Sequence, residues 1–299
     1  MWLALAFGSA FFLGCYDISK KKSLTGNAVI PVLFFNTLFC TLLLSPLFII
    51  SQLSPDTLQG TIFYIPPIAL ETHGYIVLKS ILVLSSWILS YFAIKHLPLT
   101  IVGPINATRP VMTLVGALLI FGERLNFYQW IGVIITIVSF FLLSLSGRKE
   151  GIKFHRNKWV FFILFAAMLA AASGLYDKFL MQRFSSTAVQ FWYNLYQWLL
   201  MVVILLVLWY PKRKISSPFE WRWSIILISV FLTIADFLYF YALTDSEAMI
   251  SIASMVRRSS VLISFAGGAL LFNEKNLKGK AIDLVLIIIA MFFLYLGTK

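Results

Sequence analysis

Charged residues are scarce in this sequence of 299 residues: Asp, Glu, Lys and Arg make up only 12% of it, and the mean hydropathy is +0.90. A soluble protein of this length needs a polar exterior, so the composition excludes an ordinary soluble domain. Apolar runs recur along the chain at lengths of about 20 residues, enough for a helix to cross a hydrocarbon core about 30 Å thick. We therefore predict a polytopic membrane protein.

Cysteine and histidine are also scarce, and their spacing matches no metal-binding or catalytic pattern. Cys15 and Cys40 lie inside apolar runs without a CxxC motif, and His73, His96 and His155 lie near span boundaries or in loops. We expect the cysteines to pack as apolar side chains, and we expect no metal and no cofactor. The spans also lack a His-Asp pair and a serine-nucleophile motif, which argues against the alternative of a membrane-embedded lipid-modifying enzyme.

Ten apolar segments are predicted to cross the membrane as helices, because β-barrel strands would be shorter and would alternate polar with apolar residues. The first segment lacks a basic amino-terminal region and a small-residue cleavage site, so we expect it to be retained. The predicted spans are 2–18, 29–50, 72–94, 97–121, 126–146, 158–180, 188–210, 223–243, 247–271 and 278–297.

The two halves of the chain resemble each other in sequence. The matching positions, in the same order in both halves, are Tyr16-Asp17 with Tyr176-Asp177, Asn36 with Asn194, and Glu123 with Glu274. An odd number of spans per half makes the second half enter the membrane in the opposite sense, and inverted repeats are typical of transporters. We therefore predict an all-α membrane protein of ten transmembrane helices, arranged as two inverted five-helix repeats at 1–147 and 158–299 that a basic linker at 148–157 joins. Both glutamates lie at helix-to-helix turns, where each is expected to interact with the N-terminus of the next helix.

The formal net charge of +12 favours membrane orientation over nucleic-acid binding, because Lys and Arg lie mainly in short loops between apolar spans. Sixteen of the 24 basic residues fall in loops after the odd-numbered spans. The positive-inside rule would place those loops in the cytoplasm and both termini outside. The opposite side carries five basic residues, namely Lys79, Arg124, Lys178, Arg183 and Lys299.

Three arginines fall where the chain is predicted to be buried in the membrane: Arg109 is central in 97–121, and Arg257 and Arg258 are central in 247–271. An arginine at the bilayer centre costs about 2.5–3.5 kcal/mol on insertion scales, and a guanidinium group stays charged. We favour substrate contact, because an arginine fork binds phosphate or carboxylate through two parallel hydrogen bonds. The alternatives are structural ion pairs with acidic residues and a misplaced span boundary.

The possible acidic partners are Asp17, Asp177 and Asp236. Asp236 is central in its span and has no corresponding acid in the third span, where Trp87 lies nearby. It is either a proton-coupling carboxylate or the counter-ion of Arg257 or Arg258, and we favour the counter-ion. Asp17 and Asp177 lie near span ends, where we expect exposed or gate-forming ion pairs rather than substrate contact.

The other candidates for substrate binding are polar or aromatic. Asn106 lies on the same helix face as Arg109, and Ser251 and Ser254 share a face with Arg258. Interhelical hydrogen bonding or aromatic packing accounts for the remaining candidates as well as substrate binding does. These remaining candidates are Tyr16, Tyr176, Asn36, Asn194 and Trp192.

The ends of the two halves carry a family resemblance. LIFGERLNFYQWIGVIITIVSFFLL resembles the signature of the EamA branch of the drug/metabolite transporter superfamily, and LLFNEKNLKGKAIDLVLIIIAMFFL repeats it with Asn273 in place of the glycine. The resemblance covers the whole chain as two five-helix units. It implies a transporter that works by alternating access, but members move amino acids, sugars, nucleotide sugars, phosphorylated sugars, choline and drugs, so it leaves the substrate open.

A second, local resemblance concerns the basic pair. VRRSSVLISFAGGALLF is similar to a stretch of the triose-phosphate translocators in which a Lys-Arg pair binds the substrate phosphate, and this would give that role to Arg257 and Arg258. In INATRP, however, Asn106 stands where those translocators have a lysine, and Arg109 stands where they have a glutamate. Superfamily members with ten helices also have cytoplasmic termini, which disagrees with the charge rule, so the orientation stays open.

Together, the residues and the resemblance predict a multi-pass transporter of the plasma membrane, most simply a bacterial inner membrane, that acts as a monomer or homodimer. The expected substrate is a small organic anion, for instance a phosphorylated metabolite, held by Arg109, Arg257 and Arg258. The alternative within transport is an exporter of amino acids, cations or drugs that is coupled to protons through Asp236.

Overall fold

The computed structural model describes residues 1–96, 105, 108–145, 158–213, 218–260, 262–263 and 277–297, and within these residues it contains helices and no β-strand. A π-helical turn at Leu205–Trp209 and a 3-10 turn at Tyr210–Lys212 continue the helix that ends at Ile204. The helices are α1 (Trp2–Leu24), α2 (Val29–Leu53), α3 (Pro55–Leu58), α4 (Leu70–His96), α5 (Arg109–Ile120), α6 (Phe127–Leu145), α7 (Lys158–Met181), α8 (Ser186–Ile204), α9 (Ser224–Leu243), α10 (Ile250–Arg258) and α11 (Leu277–Leu296).

Six helices within the described residues are long and apolar enough to cross a membrane, namely α1, α2, α4, α7, α8 and α9. Shorter apolar helices cover Arg109–Ile120, Phe127–Ser139 and Val285–Leu296. The predicted class of all-α membrane protein is therefore confirmed. The number of ten transmembrane helices stays a prediction, because parts of the spans 97–121 and 247–271 lie outside the described residues. The linker at 148–157 lies outside them too, so the boundaries of the two halves also stay a prediction.

The helices pack in pairs that respect the matching of the two halves. If α1, α2, α4, α5 and α6 are matched in order with α7, α8, α9, α10 and α11, the packing of α1 on α9 corresponds to that of α4 on α7. In the same way, the packing of α1 on α10 corresponds to that of α5 on α7. Three helices pack directly on their own counterparts: α2 on α8, α5 on α10 and α6 on α11. Both halves therefore contribute to one interface that has the contact pattern of a two-fold repeat.

One end of this interface is closed by the largest apolar cluster of the described residues. The beginning of α1 contributes Trp2 and Ala6, and the end of α7 contributes Leu180 and Met181. The end of α9 and the beginning of α10 also belong to the cluster, with Ile250 fully buried. Lipid chains are as apolar as these side chains, so close packing rather than the hydrophobic effect stabilises the cluster. We call this end of the bundle the closed end.

Glu123 joins the two halves at the closed end. Its carboxylate accepts hydrogen bonds from the backbone N–H groups of Ile250 at 2.6 Å and Ser251 at 3.2 Å, and also from the Ser251 hydroxyl. The expectation that Glu123 interacts with the next helix is wrong, because Asn126 and Gln129 already cap α6 through two reciprocal hydrogen bonds of 2.9 Å. The carboxylate is therefore free to stabilise the N-terminus of α10. Its counterpart Glu274 lies outside the described residues.

Two of the lysines that the charge count assigns to the side opposite the basic loops lie inside the protein. Lys79 is 2% exposed and Lys178 is 3% exposed, because each finds an interior partner. Lys79 forms an ion pair with Asp177, and the Lys178 ammonium donates a hydrogen bond to the backbone carbonyl of Ala248, just before α10. Neither lysine is therefore a surface charge, and the side of the membrane to which the charge count assigns them stays a prediction. Lys178 and Glu123 together hold the segment that leads into α10.

The first helix also departs from the predicted span. α1 continues to Leu24 rather than ending at residue 18, so Asp17 lies well inside a helix instead of near its end. The continuation is stabilised within the helix, where Lys20 donates a hydrogen bond of 2.7 Å to Asp17 and places its ammonium 4.5 Å from the centre of the Tyr16 ring. Asp177 does lie near the end of its helix, as predicted, but it is buried rather than exposed.

Gly14 provides a test of the packing of α1 on the residues that follow α10. A Cβ atom at Gly14 would lie 2.9 Å from the backbone oxygen of Ser260 and would overlap the side chain of Ile263. Its repeat counterpart Gly174 has nothing within 4 Å of such an atom. We expect Gly14→Ala to destabilise the protein by about 1–3 kcal/mol and to lower the melting temperature in detergent.

Gly174→Ala is the matched control. Alanine favours a helix over glycine, so this substitution is expected to leave the melting temperature unchanged or to raise it slightly. Equal melting temperatures for the two variants would contradict the close approach at Gly14.

Candidate functional site

A cavity of about 330 Å³ lies between the two halves, beyond the apolar cluster of the closed end. On α1 the cluster takes residues near Trp2 while the cavity takes residues from Leu13 onward, so the cavity lies toward the end of the bundle at which α1 ends. Eight of the described lining residues are charged, five of them cations and three carboxylates. These eight are Asp17, Lys20, Lys79, Arg109, Asp177, Asp236, Arg257 and Arg258.

Arg257 is paired with Asp236. α10 presents the guanidinium and α9 presents the carboxylate, and the two side chains are only 19% and 14% exposed. The Arg257 guanidinium also lies 4.1 Å from the centre of the Tyr239 ring, which attracts a cation through its π face. Within the described residues, Asp236 is therefore the counter-ion of Arg257 rather than a free carboxylate.

Lys79 and Asp177 form a second ion pair, between α4 and α7. The Lys79 ammonium lies 4.4 Å from the centre of the Tyr193 ring and 4.9 Å from that of the Phe240 ring, so two aromatic faces share the stabilisation of its charge with the carboxylate. A lysine that is almost completely buried in a membrane protein needs such partners. Asp177 also interacts electrostatically with Arg257, so the two ion pairs are neighbours.

Asp17 is the third carboxylate, and Lys20 of its own helix lies 2.7 Å from it. This pair is more open than the other two, with side chains 35% and 38% exposed. Tyr16 is buried beside it and lines the cavity. Each of the three carboxylates in the cavity wall therefore already has a cation within ion-pair distance.

Arg109 and Arg258 are the two cations left over. Arg109 donates one hydrogen bond, from its NH2 nitrogen to the Ser90 hydroxyl at 3.2 Å, while its Nε atom is buried without a hydrogen-bond partner among the described residues. Arg258 is exposed to the cavity, and no hydrogen bond or ion pair joins it to another described residue. The two guanidinium groups are close enough to repel each other electrostatically. A negatively charged group between them would satisfy both.

Several predicted site residues lie outside the cavity. The Tyr176 hydroxyl donates to the backbone carbonyl of Tyr75 at 3.2 Å, and Trp192 packs edge-on against His73 with ring centres 4.5 Å apart. Asn36 is buried against α9, where its side-chain oxygen accepts a hydrogen bond of 3.1 Å from a serine hydroxyl. These contacts hold the three side chains in helix packing, although no described residue accepts a hydrogen bond from the Asn36 Nδ2 atom. The structure therefore does not bring these three residues to the cavity.

Three further residues complete this comparison with the sequence. Asn194 is buried and does not line the cavity, and Asn106 lies outside the described residues. Ser251, expected on the face of Arg258, is held at the closed end by Glu123. Ser254 does line the cavity beside Arg258.

Lys79 lines the cavity but is not among the candidates from the sequence, although a signal was present. The spacing between matching positions of the two halves is 158 residues at Asn36 and 151 at Glu123. A spacing of 157, which falls between these values, relates Lys79 to Asp236. Lys79 therefore lies in the part of the first half that corresponds roughly to the segment around Asp236, and both residues line the cavity.

The Lys79–Asp177 pair yields a stability prediction. Removing one partner of a buried ion pair leaves the other charge uncompensated and costs about 3–5 kcal/mol. We expect Lys79→Met to lower the melting temperature in detergent strongly, and Asp177→Asn in the same chain to restore most of the loss.

Lys20→Met removes the partner of Asp17 and is the matched control. An exposed ion pair contributes only about 0–1 kcal/mol, so a small shift is expected there. Equal shifts for Lys79→Met and Lys20→Met would show that burial does not distinguish the two pairs.

Comparison with known proteins agrees with this arrangement. The model of the EamA-like transporter family matches residues 1–145 and 157–296. A protein described as an uncharacterized transporter of Archaeoglobus fulgidus is 26% identical over 252 residues, which cover 80% of this chain and 85% of that protein. One crystal structure of a protein has a TM-score of 0.73 and 14% identity, covers 99% of this chain and 97% of its own, and so shows similarity of fold alone.

The family resemblance predicted from the sequence is thereby confirmed, and the two matched ranges coincide with the two halves that share a contact pattern. The relatives named by these comparisons are transporters. Because the family model covers nearly the whole chain, the protein is a multi-pass membrane transporter that belongs to the EamA-like transporter family.

Proposed function

We propose that this protein transports a small organic anion across the plasma membrane, in a bacterium the inner membrane. The anion binds between Arg109 on α5 and Arg258 at the end of α10, and it exchanges sides by alternating access between two inverted five-helix halves. Arg257 lines the same wall but is held by Asp236. The described lining of the cavity comes from a single protomer, so the proposal applies equally to a monomer and a homodimer.

The observation that carries this proposal is the pair of unsatisfied guanidinium groups in the cavity wall. The Nε atom of Arg109 is buried without a partner, and Arg258 faces the cavity without a hydrogen bond or ion pair to a described residue. Guanidinium groups do not lose their proton at any physiological pH. In a membrane protein, an uncompensated charge of this kind marks a substrate or ion pathway.

Alternating access is supported by the unequal ends of the bundle. The closed end is filled by the apolar cluster and held by Glu123 and Lys178, whereas the cavity occupies the other end. The contact pattern relates each helix to its counterpart, so exchanging the packing of the two halves would close the cavity end and open the closed end.

The alternative of an exporter coupled to protons through Asp236 has less support. A proton-coupling carboxylate has to take up and release a proton during each cycle. Asp236 is instead held in an ion pair with Arg257, between α9 and α10. An excess of fixed cations in the cavity also disfavours a cationic substrate.

The proposal predicts that anion transport depends on the two free arginines. Purified protein is first screened by thermal shift with methyl phosphate, fumarate, glycine and choline, and uptake of the stabilising compound is then measured in proteoliposomes. Hydrogen bonds to charged groups contribute about 1.5–3 kcal/mol, so Arg109→Gln and Arg258→Gln should each reduce the initial uptake rate at limiting substrate by about tenfold or more.

Arg213→Gln is the control, because Arg213 lies over the Tyr210 ring outside the cavity and is expected to leave uptake unchanged. Undiminished transport by a chain in which Arg109, Arg257 and Arg258 are all changed to Gln would refute the site. Transport that follows a pH gradient and disappears in Asp236→Asn would favour the proton-coupled alternative.

A further inference from the structure

The charges that line the cavity divide into neutral pairs and a remainder. Among the described lining residues, each carboxylate has one cation: Asp17 has Lys20, Asp177 has Lys79, and Asp236 has Arg257. Two positive charges remain, those of Arg109 and Arg258. The described wall of the empty cavity therefore has a formal charge of +2.

The paired residues are not available to change this balance. Arg257 and Lys79 each combine a carboxylate with an aromatic face, so releasing either of them would expose a buried carboxylate as well as a cation. Asp17 attracts Arg258 electrostatically, but no ion pair joins them and Asp17 is already 2.7 Å from Lys20. The excess charge thus stays on two specific guanidinium groups.

A substrate with a single negative charge would neutralise only half of this excess. The second guanidinium group would remain uncompensated in a site whose other walls are protein and whose surroundings are lipid. A substrate with two negative charges would leave the loaded site neutral. Because charge interactions strengthen as water is excluded, the preference for two charges increases when the cavity closes.

We propose that the site selects a small dianion, a phosphate monoester or a dicarboxylate, over the corresponding monoanion. This inference rests on the proposed anion transport and names the charge state that the two guanidinium groups require. The cavity volume of about 330 Å³ is at the lower end of the range of about 300–1,000 Å³ that is usual for small-molecule sites. The substrate is therefore a compact metabolite with little mass beyond its charged groups.

The test compares pairs of probes that differ by one charge. At about pH 8, a phosphate monoester is a dianion, because its second pKa is about 6. Binding of methyl phosphate and dimethyl phosphate to the purified full-length protein is measured by titration calorimetry, together with fumarate and monomethyl fumarate. Loss of one charge-assisted contact corresponds to about tenfold or more in Kd. We expect each dianion to bind at least about tenfold more tightly than its monoanionic partner.

Single substitutions identify the residues that bind the second negative charge of the probe. Arg258→Gln and Arg109→Gln each remove one of the two excess charges, so each is expected to reduce the preference for the dianion to less than about threefold while monoanion binding persists. Arg213→Gln should retain the full preference. Melting temperatures of all three variants establish that they are folded.

Lowering the pH distinguishes the two kinds of dianion. Between about pH 8 and pH 5, methyl phosphate gains a proton, because its second pKa is about 6. The carboxylates of fumarate stay ionised over most of this range, because carboxyl groups have a pKa of about 4. Affinity for methyl phosphate should therefore fall while affinity for fumarate persists. The titratable residues that line the cavity, Asp17, Lys20, Lys79, Asp177 and Asp236, act on both probes alike, so their contribution cancels in the comparison.

Two outcomes would overturn these conclusions separately. If monoanions bind as tightly as dianions, and Arg258→Gln weakens the binding of both equally, then the inference of a dianion is wrong while anion transport stands. If none of the four anions binds and choline or glycine does, then the proposed function is wrong as well.

Discussion

A guanidinium group inside a membrane has to be compensated, because it cannot release its proton and the surrounding lipid cannot solvate it. The described cavity wall answers this constraint in two ways. Arg257 receives a carboxylate and an aromatic ring from α9, so its charge is satisfied within the protein. Arg109 and Arg258 receive no carboxylate, and their charges are left for water or a substrate. The arginines without a carboxylate partner are therefore the ones that we assign to substrate binding.

The scaffold of the site is repeated while its charges are not. Helix contacts in one half correspond to contacts in the other, yet α4 contributes a lysine to the cavity at position 79 and its counterpart α9 contributes an aspartate at position 236. Asp17 and Asp177 are true counterparts, but the first takes its cation from its own helix and the second from α4. Two similar frames therefore enclose a site with different side chains on its two sides, which allows one orientation of an asymmetric substrate to be favoured.

The fold was largely predictable from the sequence, because the length of the apolar segments and the order of the matching motifs can be determined without knowledge of contacts. Polar residues were less predictable, since their partners come from distant segments. Lys79 resembles a boundary lysine in the sequence, and only the approach of Asp177 from α7 explains its burial. Tyr176 was chosen because it matches Tyr16, but the two tyrosines have different neighbours, and only Tyr16 lines the cavity.

The arginines were the most predictable part of the site, for the same physical reason that makes them informative. A permanent charge in an apolar run is visible in the sequence, whereas the identity of its partner is not. The sequence left three arginines equivalent as substrate ligands or as members of ion pairs. The geometry separates them, because Asp236 can satisfy only Arg257 at ion-pair distance and the other two remain. Which arginine is free depends on packing between α9 and α10, and no local pattern encodes that packing.

The excess charge also bears on how the proposed cycle proceeds. Closing the cavity end over two bare guanidinium groups would remove them from water and raise the free energy of the occluded state. Closing it over a neutral complex avoids this cost, so a bound dianion lowers the barrier to exchange between the two packings. At the opposite end, Glu123 and Lys178 add hydrogen bonds to the apolar cluster in holding the segment before α10. A clamp of this kind can separate when water enters, because water replaces its hydrogen bonds. The two ends thus respond to different events: the cavity end to charge neutralisation, and the closed end to hydration.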